Sequence, residues 1–226
     1  MKLSVTKTVN ARSLERRWNL SGAEPVFTHP LYPRVQFTPV DLRIWWQLSD
    51  GRWPETCSAH AWPAKDQDRD RDRSFASWDS TGGSYPAAMP EWVTDLAKVV
   101  RADLAANKTS PDTGAEDFWG YSLHRYWDVE DAGNVSDWRG PGFIPADLDI
   151  SWSFYPGRPE RDHRYGVYAH SAGYGDRGRD RDTGQWGGTR TRHDPDLPGW
   201  IRDLVDALYE ELAATAKAST AERGAA

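Results

Sequence analysis

A chain of 226 residues carrying 28 Lys+Arg against 34 Asp+Glu has a net charge of −6 and length for one large domain or two small ones. That charge excludes the basic field of a general nucleic-acid coat. The single cysteine, Cys57, excludes an internal disulfide and a multi-cysteine metal centre, and no apolar run approaches a membrane-spanning length. With a mean hydropathy of −0.78 and no signal-peptide core behind Met1-Lys2, the chain reads as cytoplasmic, yet it holds 13 tryptophans. Arginine outnumbers lysine 22 to 6, a coding bias that points to a GC-rich genome, as of an actinobacterium or its phage.

Along the chain, Leu14, Arg16, Trp18 and Leu20 alternate with polar residues and predict a half-buried strand. Leu42, Ile44, Trp46 and Leu48 predict a second, followed by the turn dipeptide Asp50-Gly51 and a third strand around His60. Beyond the charged run Arg69–Arg73, a fourth short strand ends at Trp78. Pro90 then opens a helix over about 90–107, with Trp92, Val93, Leu96, Val100 and Leu104 on one stripe. The segment from Ala106 to Glu116 has the length of an ordinary connection.

The same order then returns. Leu123, Arg125, Trp127 and Val129 match the first strand, and Leu148, Ile150, Trp152 and Phe154 the second. Pro156-Gly157, His170, Arg177–Asp182, Trp186 and Pro198 follow in register, shifted by 106 to 110 positions. A helix over about 198–214 carries Trp200, Ile201, Leu204, Leu208 and Leu212. The expected fold is therefore α+β: a tandem duplication of a four-stranded antiparallel sheet plus C-terminal helix, packed as one pseudo-two-fold domain. Residues 1–108 form the first repeat and 109–214 the second, with 215–226 a frayed tail.

Two motifs dissolve on inspection. Gly173, Gly175 and Gly178 satisfy G-x-G-x-x-G, but no helix start follows to hold a pyrophosphate. Asp66, Asp68, Asp70 and Asp72 alternate like a calcium loop, but Arg71 and Ser77 stand where it needs Gly and Glu. No cofactor and no metal are expected.

Other residues carry more. His60 and His170 take equivalent places, and histidine is the usual base near neutral pH, although a packed or hydrogen-bonded role on the sheet is the simpler reading. Arg16 and Arg125 lie on apolar strand faces, where a charge needs an internal carboxylate, an indole to stack on, or a bound anion. Trp45, Trp53, Trp62, Trp119 and Trp138 have no tryptophan counterpart in the other repeat, which singles them out as interface residues.

The expectation is a non-catalytic binding protein, an accessory, immunity-type or phage-encoded factor. It would engage a protein partner through Trp45, Trp53, Trp62 and the Arg/Asp loops. The alternative is a small-molecule enzyme or ligand binder with a cleft between the repeats using His60, His170, Arg16 and Arg125. Single-stranded nucleic-acid binding ranks last at this net charge.

Overall fold

The computed structural model describes residues 1–20, 27–29, 32–50, 55–63, 76–81, 85, 89–109, 114–136, 142–171 and 183–225. Residues 64–75 and 172–182, which contain both charged runs and the glycine motif, lie outside the described residues, as do Gly51, Trp53 and Trp138.

The fold is α+β. Its strands are β1 (Lys2–Asn19), β2 (Phe27–His29), β3 (Tyr32–Phe37), β4 (Pro39–Ser49), β5 (Thr56–Pro63), β6 (Ala76–Thr81), β7 (Ala115–Glu130), β8 (Pro145–Phe154), β9 (Arg164–Ser171) and β10 (Thr183–Thr189). The helices are α1 (Glu91–Ala106) and α2 (Gly199–Ala225). Eight strands form an antiparallel sheet in the order β10-β9-β8-β7-β1-β4-β5-β6, and β2 pairs with β3 in a separate hairpin. No helix among the described residues is long and apolar enough to cross a membrane.

Two compact units share the chain: Met1–Ala11 with Tyr121–Glu222, and Arg12–Gly120 with Arg223–Ala226. These units are not the sequence segments 1–108 and 109–214. Each contains one half of β1 and one half of β7, so each takes a half-strand from the other segment.

In the first unit, Leu148, Ile150 and Trp152 of β8 and Val167 and Ala169 of β9 are buried, as are Ile201, Val205, Leu208 and Leu212 of α2. The Trp152 indole donates to the Val205 carbonyl at 2.7 Å, which settles the one polar atom this large side chain brings inside. Tyr165 and Tyr209 pack against the same indole at 5.0 Å. His163, also buried, bridges the Tyr209 hydroxyl at 3.0 Å and the Tyr155 carbonyl at 3.1 Å. In the second unit, Leu42, Ile44 and Trp46 of β4 lie under Val93, Ala97, Val100 and Leu104 of α1, all completely buried.

Four local expectations need correction. The buried helix stripe is Val93, Ala97, Val100, Leu104, a spacing of four, three and four, so Trp92 and Leu96 sit half-buried on its flank; Trp200 and Leu204 do the same on α2. Pro156-Gly157 does not close a tight hairpin. It makes a turn in which Arg158 donates to the Tyr155 carbonyl and Gly157 takes φ +84, followed by a 3₁₀ turn at Glu160–Asp162 before β9 begins. The expected frayed tail is helix: α2 runs on to Ala225, carried by alanines of high helix propensity, with Ala216 and Ser219 buried. β1 begins at Lys2, twelve residues ahead of Leu14 where the predicted strand starts, and the β2–β3 hairpin has no predicted counterpart.

Candidate functional site

The second unit presents a sheet with two different faces. Along β1 the side chains of Leu14, Arg16 and Trp18 are buried, and Glu15, Arg17 and Asn19 take the opposite side. On β4 the buried set is Leu42, Ile44 and Trp46, leaving Asp41, Arg43 and Trp45 on the open side. Cross-strand register carries this face onto β5, where Arg43 stands opposite His60, Asp41 opposite Trp62, and Trp45 opposite Ser58.

Each open-face guanidinium is fixed by one ring and one carboxylate. Arg43 donates from Nε and Nη2 to Asp41 Oδ2, at 3.3 and 3.0 Å, and lies 4.4 Å from the centre of the Trp62 ring. The His60 imidazole stacks on Trp62 at 5.6 Å. Arg17 donates from Nε to Glu15 and lies 4.3 Å from the centre of the Phe118 ring on β7. Both arginines, with Asn19, Asp41, Gly114 and Glu116, line an open cleft of about 420 Å³. That volume falls within the range of small-ligand sites. Burial holds the His60 pKa below the ordinary imidazole value; Asp79 and Glu15 oppose the shift, and Arg43 adds to it. His60 is therefore neutral at physiological pH.

Three of the expected residues, Trp45, His60 and Trp62, share this face. Arg16 does not. It is 1% exposed on the helix side, where Nε and Nη2 grip Asp117 at 2.6 and 3.0 Å and Nη1 holds Asp103 at 2.8 Å. Burial disfavours its charge, but the hydrogen bonds and charges of the two carboxylates outweigh that and raise its pKa. Arg125, in the first unit, also points to its helix: it grips Glu211 of α2 at 2.6 and 2.9 Å and donates to Thr8 at 3.1 Å. His170 takes the opposite face of that unit and contacts Asp147 at 2.6 Å. Neither unit thus gathers its arginine and histidine of the expected cleft on one face. Trp119, an expected interface residue, is buried beneath the Arg223 guanidinium, 4.1 Å from the ring centre.

Arg17, Arg43, Glu116 and Phe118 were not singled out by the sequence. Strand alternation held the signal for Arg17, since it places Arg17 opposite the buried Arg16. Among the described residues no cluster of His, Cys, Asp or Glu could hold a metal. Compared with models of known families, with curated proteins and with solved structures, the chain matches none.

Proposed function

We propose that the chain is a non-catalytic binding protein, an accessory factor that engages a protein partner through the open sheet face of its second unit. The observation that carries this reading is the pair of arginines, each held over an aromatic ring at the edge of a cleft. Arginine and tryptophan dominate the energetics of protein interfaces, and side chains ordered before binding lose less entropy on it. Trp45 and His60 extend the face. A cytoplasmic setting accords with the lone cysteine, a buried free thiol.

The same proposal includes the tandem duplication, supported by the helix-facing arginines Arg16 and Arg125. Arg16 pairs with Asp103 and Asp117; Arg125 pairs with Glu211 and Thr8. Taken as 16 to 125, 103 to 211 and 8 to 117, the three positions shift by 109, 108 and 109. The third partner comes from the other repeat each time, so two equivalent copies would complete one another's sheets by exchanging a half-strand. The clamp is kept in both copies, and on the open face Asp41 and His60 recur as Asp147 and His170, whereas the two arginines do not: Arg17 corresponds to Tyr126 and Arg43 to Asp149. Loss of those two arginines from one copy is what a binding role for the other would leave.

The test is capture from an extract of the native host by immobilised chain, with R43Q/W62A alongside and near-UV circular dichroism to confirm its fold. A protein retained by the wild type and lost from the folded variant supports the reading. Equal retention by both, or no specific retention by the wild type, overturns it.

A further inference from the structure

We propose that the Arg17–Arg43 cleft receives a carboxylate, which Arg17 holds through its two terminal nitrogens. The proposal rests on the reading of this face as the binding surface and names the chemistry of what binds there. Arg17 uses only Nε, toward Glu15, and among the described residues its Nη1 and Nη2 have no partner. The Glu15 contact at Nε and the Phe118 ring beneath it hold the guanidinium in place, so the remaining edge offers a pair of parallel donors. Such a pair matches the two oxygens of a carboxylate, a match an ammonium cannot make. Arg43 contributes a further donor: Asp41 takes its Nε and Nη2 through one oxygen, and among the described residues Nη1 has no partner.

The cleft also discriminates. Its volume of about 420 Å³ admits an acidic side chain or a small dicarboxylic acid. Glu116 lines the same cleft, is exposed, and has no partner among the described residues. Its charge opposes an entering anion, so the cleft selects a group able to use the Arg17 fork over a merely negative one. Removing Glu116 should strengthen binding, and replacing Arg17 by lysine should weaken it although the charge is kept.

The experiment follows the Arg17 side-chain Nε–H signal of the full chain by NMR during titration with two probes, glutarate and a capped Glu-Asp-Glu peptide, and takes the affinity of wild type and of each variant from calorimetry, since R17K lacks that signal. Expected is a saturable shift of that signal, lost affinity of about tenfold in R17K, a gain of a few-fold in E116Q, and no change in R125K. Tighter binding of the peptide identifies the source as a partner's acidic side chain; tighter binding of glutarate identifies a free acid; both support the carboxylate. Unshifted Arg17 signals with both probes at 20 mM glutarate or 5 mM peptide, or R17K binding as well as wild type, would overturn the proposal. Host-partner capture that still depends on Arg43 and Trp62 in that case would leave the broader function standing.

Discussion

Arg16 and Arg17 are neighbours in β1 and face opposite sides of its sheet. Arg16 is 1% exposed and wholly engaged by Asp103 and Asp117; Arg17 is 29% exposed, contacts Glu15 through Nε and lines the cleft. One strand thereby supplies a buried, ion-paired guanidinium and a cleft-lining one in consecutive positions. The alternation of a β-strand is the whole of the mechanism.

Arg16→Met should cost about 3 kcal/mol in urea unfolding, because it strands two partly buried carboxylates without their cation. Lost packing and uncompensated charge can be separated by a triple variant. R16M with D103L and D117L should recover much of the loss if charge is responsible, and none of it if packing is. In the first unit the equivalent change, Arg125→Met, should cost at most about 1 kcal/mol, since Glu211 is 49% exposed and already hydrated.

Sequence periodicity reached the framework because burial is what it encodes. Leu42, Ile44 and Trp46, or Leu148, Ile150 and Trp152, can alternate with polar residues only if one face is covered. It stopped short where the covering element was not obvious. Residues Lys2–Ala11 carry an alternating Leu3, Val5, Val9, Ala11 pattern, yet that stretch belongs to the compact unit built mainly from residues 121–222, a pairing no local signal announces. The tail 215–225 lacks large apolar residues, but alanine and serine suffice where a close approach buries them, as at Ala216 and Ser219. The cleft was harder still. An open-face arginine looks the same in sequence whether it is solvated or stacked on a distant Phe118, and only the fold brings β7 beside β1.

Gly187 and Gly188 on the edge strand β10 should respond differently to alanine. A Cβ at Gly188 would meet the Arg192 carbonyl at 2.6 Å and the Tyr165 hydroxyl at 2.8 Å. Neither can step aside freely: Thr189 N–H donates to that carbonyl, and Asp194 N–H donates to that hydroxyl. A Cβ at Gly187 meets nothing closer than 3.5 Å. G188A should therefore lose about 2 kcal/mol of stability, and G187A should stay within about 0.5 kcal/mol of wild type. Equal midpoints in urea for the two variants would contradict the account.

Cys57 should be inert in the native chain. It is 3% exposed, and burial, aided by the Asp79 charge, pushes its thiol up to about 12, so the nucleophilic thiolate is scarce at pH 8. Ellman's reagent at pH 8 should leave the folded protein unmodified over an hour and titrate one thiol at once in urea. Prompt reaction without denaturant would show that β5 opens far more readily than its pairing with β4 and β6 implies.

Asp149 makes a pH test with a definite sign. Burial raises its pKa; His124 and His170 oppose the shift, and Asp147 adds to it. The folded chain thus holds this proton more tightly than the unfolded chain, whose value is about 3.9. That contribution to stability is full below the unfolded value and is lost as pH rises through the folded one. His124 shifts the other way, lowered by burial against the pull of Asp149, so its contribution is present above about 6.5 and lost as pH falls. Asp149→Asn keeps the shape and removes the half-buried charge. It should raise the urea midpoint at pH 7 and leave it nearly unchanged at pH 3. A loss confined to pH 7 would mean instead that the Asp149 charge is held favourably by the neighbouring His124 imidazole.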